Sequence, residues 1–332
     1  MKLTIDDIRL ITTGAEHVEE EDGAFRFYRF TDSEMQANSN RNRYYPAGVA
    51  LRFRTNAKKL FLSVWTEETS GYHSFFAFEI LKDGERIGTI ANMDPDDAKG
   101  NYAAKKCPLG DFSGEFELDG GEKTVEVLFP HSVYASLKEI SLFGGDYIEP
   151  IPLRTELIAY GDSITQGYYS LFPSESYAYR IAKRLGMTLF NKGIDGSTYT
   201  PALVNAENGR GDGVVIVAYG TNDWRRLTAE EFRENASKFL DGISIKYPRS
   251  KVFVISPIYR DDKDRETLFG DFSTVATILS EICRGREGLH LIFGDGLVPH
   301  RKEMFGDLVL HPSGEGFAYY AENLYNAISE FL

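Results

Sequence analysis

The chain has 332 residues, enough for two domains or one large one. Fifty acidic against 37 basic residues give a formal net charge of −13, which argues against nucleic acid and anionic membrane surfaces as partners. Cys107 and Cys283 are the two cysteines, and so distant a pair builds neither a disulfide framework nor a metal site.

The N-terminal stretch from Met1 to Asp7 has no apolar signal-peptide core, and no run is long enough to span a bilayer. The expectation is therefore a cytoplasmic protein. Up to about residue 150 the pattern is β. Glu19 to Phe30 reads as a segment pairing at an edge. Ala47–Thr55 and Lys59–Trp65 alternate apolar and polar residues. Tyr72 to Leu81 is an aromatic run that ends in the turn signal Lys82-Asp-Gly-Glu85, and Arg86–Ile90 reads as the returning arm of a hairpin. Phe112–Leu118, Lys123–Phe129 and Ser136–Phe143 complete the set. Short strands at close spacing predict a β-sandwich or jelly roll. The aromatic content, 13% of the chain, fits such a core, and it also fits a sugar-binding surface. Ile148-Glu-Pro-Ile-Pro-Leu-Arg154 reads as a stiff connector, dividing a domain of residues 1–150 from one of residues 151–332.

Beyond the connector, strand and helix alternate. Strands are expected at Glu156–Tyr160, Thr188–Asn191, Gly213–Tyr219, Lys251–Ser256 and Leu289–Phe293, and helices at Tyr177–Leu185, Ala229–Tyr247, Phe272–Arg284 and Glu315–Phe331. Such alternation predicts a parallel sheet covered on both faces, with its site beyond the carboxyl ends of the strands.

Unusual polar loops fall at those ends. The first strand breaks at Gly161 and delivers Asp162 and Ser163 into a turn before a helix. That is a way to lift a nucleophile above a sheet, with backbone N–H groups free at the helix start. The same three residues also suit an ordinary loop in which Asp162 or Ser163 caps the helix. The next strands run into Asn191-Lys-Gly-Ile-Asp-Gly196-Ser-Thr198, Gly220-Thr-Asn222-Asp-Trp224 and Ser256-Pro-Ile-Tyr-Arg260. Phe305-Gly-Asp307-Leu-Val-Leu-His311-Pro precedes the last helix. One sheet edge thus gathers a serine, a histidine, an acid and amide donors, the groups that acyl transfer needs.

With these blocks in this order, residues 155 to 325 resemble the SGNH, or GDSL-type, esterases and acylhydrolases. The landmarks are Gly-Asp-Ser-Ile-Thr at 161–165, the Asn-x4-Gly-x-Thr loop at 191–198, Gly-Thr-Asn-Asp at 220–223 and His-Pro at 311–312. The resemblance implies an α/β fold with a flavodoxin-like parallel sheet of about five strands. It implies Ser163 as nucleophile, His311 as base, and an oxyanion hole from the backbone N–H groups of Ser163 and Gly196 with the Asn222 amide. A preceding β-sandwich is similar to the two-domain carbohydrate esterases, which points to a small acyl ester, such as acetyl, on a carbohydrate. A carbohydrate-binding protein with a lapsed hydrolase domain, and an acyltransferase or lipase of the same family, are the alternatives.

One landmark departs from the family. The orienting aspartate there sits three residues before the histidine, a position held by Leu308, whereas Asp307 is four before. Either a one-residue bulge brings Asp307 to His311, or a backbone carbonyl orients the ring. Tyr160, Trp224 and Arg260 are candidates for the substrate wall, with packing or ion pairing as their plainer roles. Asp162 and Asp223 read as braces of their loops. His73 could reach the site from the β domain, and His131 reads as structural. No His-Glu-x-x-His or similar spacing appears, so neither a metal nor another cofactor is expected.

Overall fold

A computed structural model describes residues 1–37, 39, 41–67, 74–98, 106–204 and 212–332. The chain forms two compact units, one of residues 1–31, 41–153 and 171–174, the other of residues 32–40, 154–170 and 175–332.

The first unit opens with helix α1 (Ile5–Ile11), whose N-cap Thr4 and Asp7 form a reciprocal capping box. Its strands are β1 (Thr12–Thr13), β2 (His17–Glu21), β3 (Ala24–Tyr28), β4 (Ala50–Thr55), β5 (Lys59–Glu67), β6 (Ala77–Lys82), β7 (Glu85–Ala91), β8 (Gly110–Glu117), β9 (Lys123–Leu128), β10 (Tyr134–Phe143) and β11 (Ile148–Pro150). One antiparallel sheet runs β1-β4-β9-β6-β7 with β11 also on β4, and the other runs β2-β3-β10-β5-β8. Side chains alternate in and out along β5, where Leu60, Leu62 and Val64 are fully buried. They join Phe53, Phe78, Val127 and Ile140, contributed by both sheets, in one core, so the unit is a β-sandwich. The Asp83-Gly84 hairpin turn has positive φ at both residues, as a two-residue loop between twisted strands requires. Edge strand β2 carries Glu19, Glu20 and Glu21, charges that discourage pairing with another chain.

Part of the expected connector is itself a strand: β11 pairs with β4 in the register Ile148↔Thr55. Pro150 stands at its last position, where the missing N–H disturbs no long ladder. Tyr72 and His73, drawn into the aromatic strand by sequence, lie outside the described residues.

The second unit has the parallel sheet that the alternation predicts. Its strands are β12 (Glu156–Gly161), β13 (Thr188–Gly193), β14 (Val214–Ala218), β15 (Lys251–Ile255) and β16 (Leu289–Ile292), in the order β13-β12-β14-β15-β16. This is the flavodoxin-like order, with its switch point at the first strand. Two separate apolar cores, one including Ile158, Val215 and Phe239 and the other Leu157, Ile216 and Phe317, account for a sheet buried on both faces. The long helices are α5 (Tyr177–Leu185), α7 (Ala229–Lys246), α8 (Ser273–Cys283) and α9 (Gly314–Ser329). Helix α5 starts at the N-cap Ser176 and stops at Gly186, which takes the left-handed conformation. Short helices α4 (Ser163–Gln166) and α6 (Thr221–Arg226) follow β12 and β14 directly. Among the described residues no helix is long and apolar enough to cross a membrane.

Helix α2 (Asp32–Ala37) comes early in the chain yet belongs to this second unit. Helix α3 (Pro95–Ala98) stays with the first. Glu34 of α2 is 1% exposed and is gripped at 2.8 Å by the ammonium groups of both Lys192 and Lys246. Burial alone would raise its carboxyl, but the two lysines outweigh burial and hold it at about 2. The Tyr160 hydroxyl donates to Glu34 at 3.3 Å and pairs with the Tyr247 hydroxyl at 2.9 Å.

Candidate active site

Three parallel strands end level with one another. Gly161 of β12 is in register with Gly193 of β13 and with Ala218 of β14. Gly161 has no room for a side chain: a Cβ there would lie 2.0 Å from the Thr165 hydroxyl and 2.8 Å from the Ala218 carbonyl. The chain therefore turns tightly into α4, and the N-cap Asp162 accepts the Ile164 N–H at 2.9 Å. Ser163 is the first helical residue, so its own N–H is left over from the helix ladder.

Neighbouring loops lock this turn. Asn191 donates to the Thr165 carbonyl and accepts the Gly193 N–H, both at 2.8 Å. Ile194 N–H donates to the Gly161 carbonyl at 3.0 Å. Residues 194–197 then form a turn, closed by Ser197 N–H to the Ile194 carbonyl at 3.0 Å. Gly196 sits in it with φ of +72°, a conformation that strains other residues. Its N–H has no acceptor among the described residues. From the third loop Asn222 donates one amide hydrogen to the Ser197 carbonyl at 3.2 Å, which leaves the other hydrogen available. Asp223, fully buried, joins these loops by accepting the N–H groups of Tyr199 and Gly220, each at 3.0 Å.

His311 arrives from the segment before α9. Its Nε2 is 2.8 Å from the Ser163 hydroxyl oxygen, and its Nδ1 is 2.7 Å from an Asp307 carboxylate oxygen. The network places the imidazole proton on Nδ1, donated to Asp307, so that Nε2 accepts from the serine. The four-residue spacing works because Leu308 takes a left-handed conformation, φ +61°, with its side chain 57% exposed. The other Asp307 oxygen accepts the N–H groups of Val309, Leu310 and His311 at 2.8–3.0 Å. Burial would raise the Asp307 carboxyl, yet His311 and these N–H groups hold it at about 2. Tyr169 stacks on the imidazole, with centroids 5.2 Å apart and planes 19° apart. Sequence reading did not single out Tyr169. Its position two residues beyond Gly167 was the available signal.

Burial pushes the Asp162 carboxyl up to about 6, against the Ile164 N–H and the nearby His311. It pushes Asp223 up to about 7, against the same kind of backbone donors. Chemically, the arrangement offers a hydroxyl within proton-transfer distance of an imidazole nitrogen. It adds a fixed anion behind that imidazole.

The substrate-wall expectation needs correction. Tyr160 is fully buried in the Glu34–Tyr247 cluster, because its strand position points it onto a sheet face. Trp224 is fully buried too, and its indole N–H is spent on the Gly270 carbonyl at 2.8 Å. Arg260, 1% exposed, lies over the Trp224 ring and is tied to Asp262 and the Thr221 hydroxyl at 2.6 and 2.8 Å. These three support the loops from inside instead of facing a ligand. His131 is buried in the first unit, and His73 lies outside the described residues. Among the described residues no cluster of three or more His, Cys, Asp or Glu side chains is placed to hold a metal ion.

Comparison with known proteins agrees with the motif order. Over its full length the chain superposes on a salicylyl-acyltransferase from a tetracycline biosynthetic pathway, with a TM-score of 0.83, 18% identity and 97% of that chain covered. It also superposes in full on a family two carbohydrate esterase from Cellvibrio japonicus (TM-score 0.67, 14% identity, 99% of that chain). An acetyl xylan esterase from the rumen bacterium Butyrivibrio proteoclasticus matches likewise (TM-score 0.65, 12% identity, 98% of that chain). At such identities the likeness is one of fold. No curated protein matches the sequence. Residues 159–319 match the GDSL-like Lipase/Acylhydrolase family, a stretch that holds Ser163, Gly196, Asn222, Asp307 and His311. This stretch, just under half of the chain, is thus a GDSL-like lipase/acylhydrolase domain, and by class the protein is a carboxylic-ester hydrolase.

Proposed function

We propose that Ser163 is the nucleophile of an acyl-enzyme mechanism acting on a small acyl ester, acetyl first among them, carried by a carbohydrate. The Ser163 hydroxyl passes its proton to His311 Nε2 as its oxygen bonds to the ester carbonyl carbon. Asp307 keeps the ring oriented and offsets the positive charge that the imidazole acquires. The carbonyl oxygen becomes an oxyanion, held by the N–H groups of Ser163 and Gly196 and the free hydrogen of the Asn222 amide. Collapse breaks the bond to the alcohol, which leaves with the proton from His311. Water then gives a proton to His311 as it attacks the acyl-serine, and His311 passes that proton to the Ser163 oxygen as the bond to the acyl group breaks and the acid leaves.

The observation that carries this reading is the unbroken line of hydrogen bonds from Ser163 through His311 to Asp307, at 2.8 and 2.7 Å. The carbohydrate part rests on the esterases to which the fold is similar. A fluorophosphonate probe tests the nucleophile: wild type is labelled and Ser163→Ala is not. Equal labelling of the two proteins removes Ser163 from the mechanism. Release of acetate from acetylated xylan tests the substrate.

Acyl transfer to an alcohol other than water is the second reading, favoured by the full-length superposition on an acyltransferase. It predicts that an added alcohol diverts the acyl group into a new ester while total turnover of the donor holds or rises. The alternative of a binding protein with a lapsed site predicts no turnover of 4-nitrophenyl acetate.

A further inference from the structure

Arg226 stands one helical turn after Asn222 on α6, so the two side chains emerge on the same face. Its guanidinium donates to the carbonyl of Gly196, the residue whose N–H points to the oxyanion position in the mechanism above. A methyl group placed on Gly196 would meet that guanidinium at 3.3 Å. Hydrogen-bond and peptide dimensions then put the cation within about 10 Å of the reacting oxygen.

Two further facts concern what this arginine leaves unused. A guanidinium has five N–H donors in a fork that matches a carboxylate. No carboxylate lies within salt-bridge distance of Arg226 among the described residues, although the chain carries 50 acidic side chains. The residue is exposed. In a protein of net charge −13, an arginine that holds only a backbone carbonyl beside the reaction centre is the group that would draw an anion to it.

We propose that Arg226 binds a carboxylate on the substrate, so that the preferred ester is anionic. The carboxylate is carried either by the acyl chain, at the reach of a succinyl or glutaryl group, or by the alcohol, as in an acidic sugar. The inference rests on the reading of Ser163 and Gly196 given above and narrows its substrate class.

The test compares matched esters on wild type, Arg226→Gln and Arg226→Lys. Mono-4-nitrophenyl glutarate against 4-nitrophenyl valerate reports a carboxylate on the acyl side. 4-Carboxyphenyl acetate against its methyl ester reports one on the alcohol side. Wild type is expected to favour the charged member of one pair by about 10-fold in kcat/KM, mainly through KM, as a charge-assisted bidentate contact gives. That preference fades with added salt, falls to within about twofold in Arg226→Gln, and is partly kept in Arg226→Lys. Absence of preference in both pairs, or an equal fall for charged and neutral esters in Arg226→Gln, overturns the proposal and leaves the arginine as a prop of the Gly196 turn. Calorimetric titration of Ser163→Ala with monoethyl glutarate and with 4-carboxyphenyl acetate, with and without Arg226→Gln, separates this from the catalytic reading. Binding that depends on Arg226 sustains the inference even if Ser163 proves not to be the nucleophile, and binding indifferent to Arg226 ends it.

Discussion

Asp307 holds His311 twice: one carboxylate oxygen accepts the imidazole Nδ1–H at 2.7 Å, and the other accepts the backbone N–H of the same residue at 3.0 Å. Ring orientation and backbone position are thus set by one side chain. Asp307→Asn keeps the size but loses the charge and one of the two acceptor oxygens, either the one that takes the imidazole N–H or the one that takes the backbone N–H groups. It is expected to lower kcat by roughly 10²–10⁴ with little change in KM. Steady-state kinetics on 4-nitrophenyl acetate check this, and a loss below threefold would mean that a backbone carbonyl suffices to orient the ring.

The proposed oxyanion donors make a graded prediction. Asn222→Ala is expected to cost roughly 10²–10³ in kcat, as removal of a single donor does. Gly196→Ala places a Cβ in a left-handed conformation, at about 1–2 kcal/mol of strain, and crowds Arg226 as well. It should therefore lower both turnover and melting temperature, whereas Asn222→Ala should mainly lower turnover. Kinetics and thermal melts on the two variants decide the order.

Buried acids give a pH dependence whose sign is fixed. The Asp162 carboxyl sits at about 6 when folded, against an ordinary 3.8. The folded state therefore binds more protons than the unfolded state between those values. Stability contributed by this group is present below pH 4 and is lost as pH rises toward 6. Asp162→Asn can still accept the Ile164 N–H while carrying no charge. Its stability relative to wild type should be more favourable at pH 8 than at pH 4, as read from urea unfolding. A difference independent of pH, or one of opposite sign, refutes the assignment.

Glu34 pairs with both Lys192 and Lys246, each at 2.8 Å. Glu34→Gln leaves two buried ammonium groups facing a neutral amide. The expected loss is about 3–5 kcal/mol of stability, the usual result of breaking a buried pair from one side. Denaturant unfolding measures it. Replacing Glu34, Lys192 and Lys246 together by apolar residues of similar volume should recover much of the loss.

The parts of the fold that local pattern controls were legible in the sequence. β5 was readable because its alternate residues are buried, and α5 because Ser176 and Gly186 mark its ends. That the loops of Ser163, Gly196 and Asn222 all follow neighbouring parallel strands was likewise readable. Contacts over long separations were not legible. The role of Glu34 depends on lysines 158 and 212 residues away, and nothing near it in the chain announces them. The Asp307 spacing stayed ambiguous because the residue that takes up the slack is Leu308, and a leucine gives no sign of a left-handed turn. Tyr160, Trp224 and Arg260 looked like rim residues because they adjoin the site in sequence. Side-chain direction, which sequence proximity does not reveal, turned all three inward.

Residues 32–40 lie upstream of the sandwich strands β4 to β11 but complete the hydrolase unit, while residues 171–174 do the reverse. Cutting a gene at the proline-rich junction would therefore yield neither half intact: the downstream fragment would lack its own Glu34. Recombination that trades one accessory module for another must carry α2 along or supply a substitute. Such interleaving makes the chain, not either unit, the smallest piece that can be exchanged whole.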